Sequence, residues 1–220
     1  MARIKIFTGN FGSGKTEISI NYALSREKPP FLLDMDVVKP YFRIREADEI
    51  LREAGIDLIY PRTMAQADLP IITPEIFRAL QNSRREAIID LGGDDDGARV
   101  LGSLDYYLSP ENCELIMVIN PFRPFSSGKG HLLQLKDAIE QAARLKVTHF
   151  VSNGNLGRET SAQEVEESYY RVEALAREQG LPIKFTGVLK ELIPRVEIPG
   201  EILPVKIHLQ PPWLTGGNEK

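Results

Sequence analysis

Gly9-Asn10-Phe11-Gly12-Ser13-Gly14-Lys15-Thr16 matches the phosphate-binding pattern G-x-x-x-x-G-K-[ST] at every fixed position. The pattern has a direct physical basis. Glycines accept positive φ and let the backbone approach a ligand with no Cβ in the way. Successive amides then turn inward as an anion nest, and the helix that follows adds its positive end. In that geometry Lys15 reaches the β- and γ-phosphates, and the Thr16 hydroxyl completes a Mg²⁺ shell. The expected nucleotide contacts are therefore Gly9, Asn10, Phe11, Gly12, Ser13, Gly14, Lys15, Thr16 and the adjoining Glu17.

The flanks have the frame such a loop needs. Arg3-Ile4-Lys5-Ile6-Phe7-Thr8 alternates and is rich in strand formers, so it reads as a strand entering the loop. From Thr16 to Leu24 the apolar residues are spaced for a helix leaving it.

Further out, two strand ends carry acids. Pro30-Phe31-Leu32-Leu33-Asp34-Met35-Asp36 is an apolar run ending in two carboxylates that share a face at strand spacing. At a strand's carboxyl end they lie where nucleotide sites form in parallel sheets. Ala87-Ile88-Ile89-Asp90 is a buried strand ending in a third acid, suited to hold Mg²⁺ through water because that ion dehydrates reluctantly. Asp90-Leu91-Gly92-Gly93 has the D-x-x-G form, whose glycine amide can sense a γ-phosphate. The metal candidates are thus Thr16, Asp34, Asp36 and Asp90, with Lys15 and Asp36 as the catalytic pair and Asp36 orienting the attacking water. Asp94, Asp95 and Asp96 read as first-turn acids of the next helix.

The remaining chain alternates the same two patterns. A loop over Val37–Phe42 precedes a helix from Arg43 to Ala54, with Ile44, Ala47, Ile50, Leu51 and Ala54 as its buried stripe and Gly55 as its stop. A strand follows at Ile56–Tyr60. Thr73 caps a helix opening on Pro74, and another helix extends through Tyr107. Leu115–Asn120 is a strand, Pro121–Gly130 a loop, and Leu132–Leu145 a helix. Thr148–Asn153 is a strand, Ser161 and Glu164 form a capping box for a long helix ending before Gly180, and Ile183–Leu189 is the last strand. The proline-rich remainder is expected to wrap the surface. Alternation of this kind predicts a single α/β domain with a mostly parallel central sheet. Residues 1–205 are assigned to that domain and 206–220 to a proline-containing tail.

Composition narrows the function. The 220 residues, 42% hydrophobic and 26% charged, suit one soluble domain. A net charge of −4 gives no general attraction to nucleic acid or anionic lipid. The lone Cys113 excludes an intrachain disulfide or a C-x-x-C site and reads as a core thiol. No secretory h-region and no membrane-length apolar run is present, so a cytoplasmic protein without a membrane anchor is expected. His131, His149 and His208 lack ligand spacing.

In order and spacing, Gly9–Thr16, Asp34-Met35-Asp36, Asp90–Gly93 and the strand-terminal Asn153 resemble the MinD/ParA/CobQ–CobB group of P-loop NTPases. The resemblance implies a three-layer α/β/α P-loop NTPase domain, ATP with Mg²⁺, and a homodimer whose state follows the nucleotide. It also implies Asp36 as the water-positioning acid, Asp90 as the second acidic motif and Asn153 as a contact to the base. Asn10 stands where many members carry a signature lysine that reaches the partner's nucleotide; Arg43, Arg45, Arg123 and Lys129 are the candidate substitutes. The paired cysteines of iron–sulfur members and the basic membrane helix of division-site members are missing. Asn153-Gly154-Asn155-Leu156 is not an N-K-x-D guanine element, which favours adenine. The expected function is a Mg²⁺-dependent, slow ATPase acting as a nucleotide-dependent switch, with ATP/ADP and an unidentified protein as partners. The alternatives are an ATP-dependent ligase or kinase on a small metabolite and a non-hydrolysing nucleotide-binding adaptor. Pro211-Pro212-Trp213 is a candidate docking or packing segment.

Overall fold

Strand β1 (Ile4–Thr8) is buried along its whole length and feeds the glycine-rich loop, which opens into helix α1 (Lys15–Leu24). The chain continues through β2 (Phe31–Met35), α2 (Asp48–Glu53), β3 (Asp57–Ile59), α3 (Pro74–Gln81) and β4 (Ala87–Leu91). It then runs through α4 (Asp95–Gly102), β5 (Cys113–Ile119), α5 (Lys129–Ala143), β6 (Val147–Ser152), α6 (Ala162–Gln179), β7 (Ile183–Leu189) and β8 (Ile202–Val205). This computed structural model describes residues 2–36, 44–60, 72–93, 95–123 and 128–209, with only the backbone given for Arg45, Glu46, Asp95, Asp96 and Arg158. The loop at Val37–Phe42, Arg43, Asp94 and Pro211-Pro212-Trp213 lie outside the described residues.

The eight strands form one sheet in the order β3-β2-β4-β1-β5-β6-β7-β8, and every pairing is parallel. Parallel strands covered on both faces should read as unbroken apolar runs, as Ile88-Ile89 and Leu115–Ile119 do. Two apolar layers result. One packs β1, β4 and β5 side chains against α3, α4, α5 and α6, and the other packs the opposite face against α1, α2 and the C-terminal segment. Phe7, Tyr22 and Phe185 join α1 to β1 and β7, with ring centroids 5.2 to 6.2 Å apart. The result is a three-layer α/β/α domain with β1 between β4 and β5. All the loops discussed below leave the carboxyl ends of their strands, the edge where such sheets take ligands.

Several local expectations need correction. The C-terminal segment holds an eighth strand, β8, parallel to β7 with Val188 opposite Pro204. Proline is tolerated because β8 is an edge strand, whose outer amides have no partner strand to donate to. The helix expected from Arg43 to Ala54 divides into a 3₁₀ turn at Ile44–Ala47 and α2, and Ala54 is its exposed C-cap rather than part of the stripe. The helix expected to reach Tyr107 stops at Gly102, where Ser103 Oγ donates to Val100 O (2.6 Å) and the chain tightens into i→i+3 turns. Thr73 and Pro74 open α3 as expected, but the Thr73 side chain makes no capping bond. The Ser161–Glu164 capping box and the left-handed Gly180 stop are both present on α6. Cys113 is buried, its Sγ pointing to Ser109 O at 3.0 Å, and burial pushes its pKa up to about 11. Among the described residues, no helix is long and apolar enough to cross a membrane.

Candidate functional site

The phosphate loop takes the backbone that its glycines permit. Gly12 and Gly14 sit in the left-handed region at φ 79° and 84°, and Gly14 is the N-cap of α1, a residue with no side chain to cap the helix. A glycine there leaves the start of α1 open to an anion. Ser13 N donates to Asn10 O at 3.1 Å, closing the loop on itself.

On the β2–β4 side, Lys15 is the central residue. It is 1% exposed, and its Nζ lies 2.5 Å from Asp36 Oδ2, whose side chain is 6% exposed. Asp36 N donates to Asp34 Oδ1 at 3.3 Å, so the two acids of Asp34-Met35-Asp36 are organised together. Asp90 is fully buried at the end of β4 and accepts from Ser19 Oγ at 3.4 Å, one turn along α1 from Lys15. Thr16 Oγ1 is buried without a hydrogen-bond partner among the described residues. An orphaned hydroxyl at the start of a helix whose Lys15 meets Asp36 and whose Ser19 meets Asp90 fits a hard, oxygen-binding cation such as Mg²⁺. Among the described residues, no three His, Cys, Asp or Glu side chains are arranged to hold a metal by themselves.

On the β5–β6 side the groups are amides and one arginine. Asn153, at the end of β6, is 2% exposed, and its Nδ2 donates to Ser13 O at 2.7 Å. The side chain holds the loop's carbonyl, and Gly14 leaves room for it there. Asn120 Oδ1 accepts from Phe122 N (3.1 Å) and its Nδ2 donates to Asn155 O (2.8 Å), tying the end of β5 to the loop after β6. Arg123 lies along Gly12. Asn120 and Asn155 carry no motif, and only their position at strand ends could have singled them out.

Glu17 does not face the loop. Its carboxylate accepts His208 N (2.7 Å) and Leu209 N (3.2 Å). One turn on, Asn21 Nδ2 donates to Lys206 O (2.9 Å) and its Oδ1 accepts Lys206 N (2.8 Å). Residues 206–209 are thus strapped to α1 by the Glu17 side chain, which leaves only the residue 17 backbone amide to face a phosphate. Residues 17 and 21 share a helix face that points away from residue 16. Desolvation pushes the Glu17 pKa from its ordinary 4.5 up to about 7, partly opposed by the His208 and Leu209 amides and by Asn21. A raised folded-state pKa gives stability that is complete below the unfolded value and is lost as pH rises through about 7. Between pH 4.5 and 7.5 the native protein should therefore lose about 1–3 kcal/mol more stability than Glu17→Gln in denaturant titrations. Parallel pH profiles for the two proteins would remove Glu17 from this account.

Of the candidate substitute cations, Lys129 is paired with Glu178 on α6. Arg43 and the Arg45 side chain lie outside the described residues, as do the side chains of Asp95 and Asp96. Of the two whose side chains are described, Arg123 is placed against the phosphate loop.

No family model and no curated protein sequence matches the chain. Solved structures do. The chloroplast FtsY of Physcomitrella patens superposes with a TM-score of 0.58 at 19% identity, over 86% of this chain and 59% of its own. The signal recognition particle receptor FtsY of Elizabethkingia anophelis gives 0.55 at 16% identity, over 95% and 63%. The chain thus spans about three fifths of the length of either. A putative plasmid partition protein of Borrelia burgdorferi bound to AMPPNP reaches only 0.46 at 12% identity, over 91% and 92%, too distant to carry an argument. At these identities the likeness concerns architecture, and the architecture is that of a three-layer α/β/α P-loop NTPase.

Proposed function

We propose that the chain is a Mg²⁺-dependent ATP-binding protein and slow ATPase that works as a nucleotide-dependent switch.

ATP is supported by the departure of Asn153-Gly154-Asn155-Leu156 from the guanine element, and Mg²⁺ by the donor set of Thr16, Asp34, Asp36 and Asp90. The observation that carries the reading is the buried Lys15–Asp36 pair beside Thr16. In this state Asp36 holds the lysine that a terminal phosphate would claim. When Lys15 turns to phosphate oxygens, Asp36 loses its cation and becomes an acceptor able to orient a water. One charge exchange thus links nucleotide arrival to the segment that begins at residue 37. Thr16 and Asp90 would hold the metal, which neutralises charge on the phosphates. Asn153 would keep the loop in its binding shape through Ser13 O. Phe11, 65% exposed at the loop, supports a protein partner there, a second copy of this chain in the homodimer reading.

The test is phosphate release from ATP and GTP, with Mg²⁺ and with EDTA. Slow, ATP-preferring release that stops on chelation is expected. Asp36→Ala should cut release by about 10- to 100-fold. With Mg²⁺ chelated, the same variant should bind ATP at least as tightly, because the competitor for Lys15 is gone. Unchanged release would take the water-positioning role away from Asp36.

A second reading, an ATP-dependent ligase or kinase on a small acid, rests on a cavity of about 220 Å³ next to the end of β5. It is lined by Pro121, Leu132 and Val172 and by the charged Lys129, Arg171 and Glu178. Turnover that appears only when a carboxylate metabolite is added would favour this reading over the switch.

A further inference from the structure

The sheet order sorts the polar groups around the loop by side. β4 and β2 lie on one side of β1 and bring Asp90, Asp34 and Asp36; β5 and β6 lie on the other and bring Asn120, Arg123, Asn153 and Asn155. A triphosphate that chelates a divalent cation takes its terminal phosphates toward carboxylates. Its nucleoside is then left to the side whose strand ends bring amides and an arginine.

Arg123 stands on that side, against the loop. Its Cγ and Cδ lie 3.6 Å, and its Nε 3.8 Å, from where a Cβ on Gly12 would be. The turn that carries it is fixed: Arg123 N donates to Asn120 O at 3.3 Å, and Asn120 is itself bonded to Asn155 O. Arg123 Nη2 reaches the same Asn155 O at 3.5 Å, the outer limit of a hydrogen bond. Arg123 Nε is buried without a hydrogen-bond partner among the described residues. A buried donor left unmet is costly, and an incoming acceptor recovers that cost.

We propose that Arg123 is the nucleoside-end residue of the site: its flat cation lies against the base and ribose, and its Nε–H meets an acceptor there. The proposal rests on the reading of Gly9–Thr16 as a nucleotide site. It separates Arg123 from a substitute for the lysine missing at position 10. Such a substitute must face the terminal phosphate, whereas Arg123 is anchored across β1 from Asp36 and Asp90. Its contribution is therefore common to ATP and ADP.

Calorimetric titration with ATP and with ADP, together with steady-state phosphate release, tests this on the full chain. Arg123→Ala should weaken both nucleotides alike, by about 3- to 30-fold. It should raise KM by a similar factor and leave the saturating rate within about twofold. Arg123→Lys keeps the aliphatic stem on Gly12 and the charge but loses the planar fork. It should fold as the native protein does and remain several-fold weaker for both nucleotides. Complete rescue by lysine would reduce Arg123 to a prop for the loop and overturn the proposal. A lowered saturating rate with ADP affinity intact would overturn it as well, by placing Arg123 at the terminal phosphate. A native protein that binds neither ATP nor ADP would instead overturn the nucleotide-site reading itself, and this proposal with it.

Discussion

Lys15→Ala is expected to abolish measurable phosphate release and to weaken ATP binding by at least about 100-fold, the worth of a charge-assisted contact near 3 kcal/mol. The same substitution should also weaken the fold, for a separate reason. Lys15 and Asp36 are both buried, so removing the lysine takes a cation from a carboxylate with little access to water. Breaking a buried pair from one side costs on the order of 3 kcal/mol. The two effects can be separated. Lys15→Ala combined with Asp36→Ala removes both charges and should melt closer to the native protein, yet still fail to bind ATP. Thermal unfolding and calorimetry on the single and double variants measure both quantities. Native-like ATP affinity in the folded double variant would sink the proposed site, because the loop would then hold phosphate without its lysine.

The parts of this arrangement that were legible in the sequence are those fixed by local chemistry. Gly9–Thr16 specifies its own backbone, and the strands ending in Asp34 and Asp90 advertise themselves as apolar runs closed by an acid. Ser161 and Glu164 cap α6 through contacts spanning three residues. What stayed hidden depends on tertiary position. β8 contains Pro204, which argues against a strand until its place at the sheet edge is known. Asn153 sits at the predicted strand end, but the Ser13 carbonyl it serves is 140 residues away. Glu17 was a matter of helix phase. A polar Glu17–Asn21 pair at i, i+4 on an otherwise buried helix signals a polar partner on that face, and the partner is the backbone of residues 206–209.

Gly93→Ala is expected to be as damaging to binding as a change in the loop itself, although residue 93 lies outside it. A Cβ there would stand 1.8 Å from Gly9 O, 2.6 Å from Gly9 C and 3.2 Å from Asn10 Cα. These are backbone atoms, so no rotamer change relieves the clash. Gly9 has little room to retreat, because its own Cβ position lies 2.3 Å from Val118 O on the other side. The start of the phosphate loop is therefore held between the ends of β4 and β5, and an added methyl must displace it along with Lys15 and Thr16. Overpacking of this kind costs about 1–3 kcal/mol or more, and ATP affinity should fall by more than tenfold. The substitution retains the residue 93 amide. If D-x-x-G acted here only as a phosphate-sensing amide, alanine would be tolerated; if the glycine is needed for the close approach to Gly9, it will not be. Gly128→Ala is the control, since nothing among the described residues lies within 4 Å of its Cβ position, and it should leave ATP binding unchanged. Native ATP affinity in Gly93→Ala would mean that the loop shifts without loss, and that its fit against β4 does not set the site.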